Sequence, residues 1–123
     1  MAARGFARID GRGNLVASSS TVVGMERCIN SSTHQQFMFG AYCFKLRFTP
    51  NVVIASPIAH TDDTPFGPIL YTAGPNLTGP FTKNKNGNGV QCPAGFQDAA
   101  VVGRVEAGDG LTVPPGGFFV LFD

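Results

Sequence analysis

A chain of 123 residues, 43% hydrophobic and only 14% charged, suits a single domain over 1–123 that buries a core without metals or staples. The charged share lies well below the roughly 25% usual for soluble domains, so more of the surface must be neutral, apolar or covered, and a homo-oligomer is expected. Nine Lys and Arg against eight Asp and Glu leave a net charge of +1, with no basic stripe to neutralise phosphates, which argues against nucleic acid as a partner.

No run of about eighteen apolar residues is present, so no membrane insertion by a helix is expected. The start, Met1-Ala2-Ala3-Arg4-Gly5-Phe6, lacks the apolar stretch of an export signal. That leaves a chain not exported by that route, or a mature or trimmed fragment.

Sixteen glycines, nine prolines and eleven phenylalanines describe short strands between many turns, and no segment keeps a helical period. The first strand is expected over 5–10, with Phe6 and Arg8 on one face and Ala7 and Ile9 on the other. A turn at 11–14 returns the chain into 15–17 as a hairpin partner. A second extended stretch covers 21–29, followed by a polar loop over 30–36 that holds His34, read as a solvated histidine.

The clearest strand is 41–48. Tyr42, Phe44, Leu46 and Phe48 share one face while Cys43, Lys45 and Arg47 share the other, the period of two that a half-buried antiparallel strand requires. Residues 52–59 form the next apolar run, and Pro57 inside it predicts an edge strand or a bulge. A short strand follows at 69–73.

Residues 74–95 are dominated by Gly, Pro, Asn, Thr and Lys and read as a long excursion with at most one short strand, around 77–82, of the functional or mobile kind. The β pattern resumes over 99–107, turns at Gly108-Asp109-Gly110, and ends in 118–122, where nearly every residue is apolar. That last strand is expected to be buried on both faces, in the core or under a neighbouring subunit. The sum is an all-β, antiparallel, jelly-roll-like β-sandwich of about 8–10 short strands.

Cys28, Cys43 and Cys92 make an odd count without C-x-x-C spacing, so no metal site is expected. One disulfide leaves three choices of pair. Cys43 with Cys92 is preferred because it ties the excursion to a rigid strand, and three reduced thiols acting as small hydrophobes is the alternative.

His60-Thr61-Asp62-Asp63 is the one cluster resembling a reactive constellation. It would support a small hydrolase in which His60 works with Asp62 or Asp63 as general base, or equally be ordinary turn chemistry. No nucleophile-elbow or dinucleotide pattern exists, so no catalytic residue and no cofactor is assigned. Lys83 and Lys85, among Asn84, Asn86 and Asn88, make a polar loop tip. With His60, Asp62 and Asp63 it forms the candidate surface for a glycan or other ligand, although the chain has no Trp and two Tyr to serve as a sugar platform.

Gly40-Ala41-Tyr42-Cys43-Phe44-Lys45-Leu46-Arg47-Phe48 resembles the G-x-Y-x-F strand of C1q-like and tumour-necrosis-factor-like jelly rolls. The closing 116–122 segment looks like their terminal Gly-Phe-Leu-Leu strand, and Gly108-Asp109-Gly110-Leu111 like their Gly-Asp turn. The resemblance implies trimers with aromatic strands around a threefold axis, with Tyr42, Phe44, Phe118 and Phe119 as candidates for that interface or the core behind it. Pro57 and the Gly/Pro-rich middle depart from this pattern. Tyr42-Cys43-Phe44, Phe48-Thr49-Pro50 and 92–101 are also similar to small uncharacterised bacterial domains that end secreted or surface proteins.

The expected function is therefore a non-catalytic module that self-associates on a cell surface or virus particle, an extracellular location. A ligand-binding module and a small hydrolase are the alternatives.

Overall fold

The computed structural model describes residues 3–38, 40–58, 68–84, 87–105 and 117–123, with the backbone alone at 68–69 and 104–105. Within them the strands run, in chain order, β1 Gly5–Ile9, β2 Leu15–Ser18, β3 Val22–Arg27, β4 Ile29–Asn30, β5 Ala41–Leu46, β6 Val53–Pro57, β7 Pro68–Ala73, β8 Thr82–Lys83, β9 Gly89–Gln91, β10 Ala99–Val105 and β11 Phe118–Phe122. No described residue is helical, and the protein is an all-β sandwich.

Three antiparallel sheets form. The first has the order β2-β1-β11-β6, the second β3-β5-β10-β7, and the third β4-β9-β8. The first strand lies beside the last, and β5 lies beside β10, so strands distant in sequence nest in a jelly-roll-like manner. The first two sheets close on a core of Ala7, Ile9, Phe118, Val120 and Phe122 on one side and Val22, Tyr42, Phe44, Leu46, Ala99 and Val101 on the other. Phe44 meets Phe122 edge to face with ring centroids 5.2 Å apart, and Tyr42 meets Phe118 at 6.0 Å, contacts that add to the area buried.

The second sheet is covered on its other face as well. Ala41, Cys43, Ala100 and Val102 point away from the first core and pack against Leu77, Val90, Cys92 and Cys28. This corrects the expectation of a half-buried strand at 41–48 in its first part only, because Tyr42, Cys43 and Phe44 are all fully buried while Lys45 and Arg47 are exposed. It also corrects the reading of 74–95. That stretch carries two short strands, β8 and β9, which pair with each other, and β9 pairs with β4 as well. The third sheet they build is the lid of this second core.

Within one chain the closing strand is covered on a single face, which leaves the other to the expected neighbouring subunit. In β11, Phe118, Val120 and Phe122 are buried while Phe119 and Leu121 are exposed. The strand belongs to an outer sheet covered on one side only. β6 is an edge strand of that sheet and ends at Pro57, paired to Phe118, where a missing ladder donor is tolerated.

Two turns depend on particular residues. The Asp10 carboxylate accepts hydrogen bonds from the backbone N–H groups of Arg12 and Asn14, both at 2.9 Å, and closes the β1–β2 hairpin. These bonds, with that of Asn14 foremost, hold the Asp10 pKa below the usual carboxylate value. Gly117 has φ 82°, and a Cβ there would collide with the Ile9 carbonyl oxygen, so only glycine lets β11 start alongside β1.

Candidate functional site

The outer face of the first sheet carries the largest unexplained chemistry among the described residues. Side chains alternate along a strand, so the inward set Ala7, Ile9, Phe118, Val120 and Phe122 forces Phe6, Arg8, Phe119 and Leu121 outward. In β6, Val53 and Ala55 pack on the core, which turns Ile54 and the preceding Val52 outward too. Register then aligns them: Phe6 is opposite Leu121, which is opposite Ile54. One step on, Arg8 is opposite Phe119, which is opposite Ser56.

The result is a continuous apolar patch across three strands. Phe6 is 40% exposed, Val52 41%, Ile54 42%, Phe119 43% and Leu121 38%. Together they present apolar surface on the order of a few hundred Å², the size at which a patch on a monomer is usually functional. A depression of about 280 Å³ opens beside Phe119 and Leu121, bounded by Arg4, Phe6 and Ser19.

Two arginines border the patch. The Arg8 guanidinium lies 6.0 Å from the Phe119 ring centroid, and that of Arg4 lies 4.2 Å from the Phe48 ring. Arg4 also donates to the Thr49 carbonyl at 3.1 Å. The chemistry of this surface is therefore an aromatic and aliphatic centre with a cationic, hydrogen-bonding rim. That suits a protein surface better than a small polar ligand.

Of the four aromatic residues singled out from the sequence, Tyr42, Phe44 and Phe118 are core and Phe119 is surface. Phe6, Val52, Ile54 and Leu121 were missed. Their one signal was Arg8, which shares the face of Phe6 and marks that face as outward.

The candidate ligand loops do not come together as a described site. His60, Asp62, Asp63 and Lys85 lie outside the described residues, as does the Gly108-Asp109-Gly110 turn. Lys83 ends β8, and the turn after it is closed internally. The Asn88 N–H donates to the Asn84 side-chain oxygen at 2.9 Å, and the Asn84 N–H to the Asn88 carbonyl at 2.9 Å. Asn84 and Asn88 thus serve the hairpin. His34 is exposed in the 30–36 loop, where the Asn30 side chain accepts from the N–H groups of Ser32 and Thr33.

The cysteines converge in the second core. Cys43 and Cys92 form a disulfide, joining the middle of β5 to the residue after β9. Cys28 is free and buried, and burial raises its thiol pKa far above the ordinary value. The three sulfurs lie within 4.8 Å of one another. Local spacing gave no hint of this, because the cluster is built by strand pairing.

No protein-family model, curated protein or solved structure matches the chain.

Proposed function

We propose that this protein is a structural module that self-associates through the outer face of its first sheet, with Phe6, Ile54, Phe119 and Leu121 packed against copies of the same face. The observation that carries this reading is the row Phe6–Leu121–Ile54 with Phe119 beside it, exposed across β1, β11 and β6. A stable interface buries about 800 Å² per partner with an apolar centre and a polar rim. The patch supplies a large part of that centre, and Arg4, Arg8, Ser19 and Ser56 supply a rim.

The depression beside Phe119 has room for an aromatic ring from a neighbouring copy. The resemblance to C1q-like jelly rolls favours three copies around an axis, and the low charge of the whole chain fits a surface that is covered in use. The disulfide is compatible with an oxidising location such as a cell surface or virus particle.

Sedimentation at micromolar concentration tests this directly. A closed oligomer is expected for the natural chain. The double substitution Phe119→Asp and Leu121→Asp should weaken association more than tenfold, with the far-UV circular dichroism unchanged. A strict monomer at micromolar concentration would overturn the proposal.

A further inference from the structure

Cys43 is the meeting point of three sulfurs, bonded to Cys92 and in contact with Cys28. The Cys28 Sγ lies 2.7 Å from the Cys43 Sγ, so the free thiol touches a sulfur of the disulfide. Strand pairing creates this approach. Glu26 is opposite Cys43 and the Cys28 N–H donates to the Ala41 carbonyl at 3.0 Å, so Cys28 and Cys43 are diagonal neighbours facing the same core.

We propose that Cys28 is an internal exchange partner, so that the folded chain carries one disulfide in two pairings, Cys43–Cys92 and Cys28–Cys43. The step balances without an oxidant. The Cys28 thiolate forms a bond to the Cys43 sulfur as the Cys43–Cys92 bond breaks, and the proton lost by Cys28 ends on Cys92. Its structural effect is to release the segment after β9 from β5, so the third sheet is held over the second core by packing and strand pairing alone.

A soft metal ion on three thiolates would be the competing use of this cluster. That use would first require two-electron reduction of the Cys43–Cys92 bond, and the lining of Ala41, Leu77, Val90, Ala100 and Val102 offers the ion no further side-chain ligand. Exchange conserves one disulfide and needs one transient charge spread over the reacting sulfurs.

The groups around Cys28 set how the exchange responds to pH. Glu26 and Arg27, next along the chain, are exposed, and the neighbouring Tyr42 phenol has its pKa raised, chiefly by burial. The Cys28 thiolate is therefore scarce at neutral pH, and the exchange rate should rise about tenfold per pH unit with thiolate fraction.

The test is to incubate the folded, unreduced protein at pH 7, 8 and 9, quench in acid, unfold, alkylate the free thiol and map the labelled cysteine by mass spectrometry. Label should appear on both Cys28 and Cys92, approach a constant ratio, and do so faster at higher pH and independently of protein concentration. Label confined to Cys28 after long incubation at pH 9 would overturn the proposal. Cys92→Ala, equilibrated in glutathione redox buffer, gives a second readout. With native circular dichroism it should show no free thiol in denaturant, whereas two free thiols would contradict the exchange. If that variant does not fold, the mapping of the natural chain decides alone.

Discussion

β5 and β11 are both aromatic strands, and each is covered differently from what its residues suggest. β5 carries Lys45 and a cysteine opposite its aromatic face, yet Tyr42, Cys43 and Phe44 are all buried. β11 is apolar throughout, yet Phe119 and Leu121 face outward. The difference is the number of layers. β5 lies in the middle sheet, between the first sheet and the β4-β9-β8 lid, while β11 lies in an outer sheet with one covered side. A contiguous row of apolar residues on an uncovered face is then informative, because no folding role explains it.

Substitutions along the two strands put this contrast to the test. Phe44→Ala should have the largest effect, a loss of about 3–5 kcal/mol in chemical denaturation, because it empties the contact with Phe122 in the first core. A loss under about 1 kcal/mol would mean that β5 is not the centre of the sandwich. Gly117→Ala comes next. A left-handed backbone and the collision with the Ile9 carbonyl should cost at least about 2 kcal/mol, read as a lowered melting temperature.

Phe119→Ala, one position after the buried Phe118, should change the stability of the isolated chain by only about 0.5 kcal/mol. It should nevertheless weaken self-association in sedimentation. Equal damage from Phe118→Ala and Phe119→Ala in the monomer would abolish the distinction between the two faces of β11.

Asp10→Asn should have the smallest effect, at the hairpin next to β1. Its folded pKa is held down by the N–H groups of Asn14 and Arg12. Its contribution is therefore fully present above the unfolded carboxylate pKa and is lost as pH falls through the lower folded value. The melting-temperature gap between the natural chain and Asp10→Asn should accordingly be widest near neutrality and shrink as Asp10 becomes protonated. A gap that widens in acid would contradict this.

Much of the architecture was legible locally. Alternation at 41–48 and 99–107, the Gly/Asn turn at 11–14 and the proline at 57 each act within a few residues, and the strands and the β6 edge follow from them. The segment 74–95 was less legible. Its strands are two or three residues long, and they form because β9 finds partners in β4 and β8, not because of their own propensity. The apolar patch was half legible. Arg8 marks its face of β1, but nothing in 118–122 indicates which side would be covered.

By itself, then, the sequence determined an all-β domain with its longer strands, most of its turns and a composition poor in charge, because periodicity and turn chemistry are short-range. Only the tertiary structure decided which faces are covered and which sulfurs meet. Both depend on pairing between residues far apart in the chain. Cys28, Cys43 and Cys92 are brought together by the β3–β5 pairing and the third sheet. Phe6, Leu121 and Ile54 are brought into one row by a sheet that joins the first strand to the last.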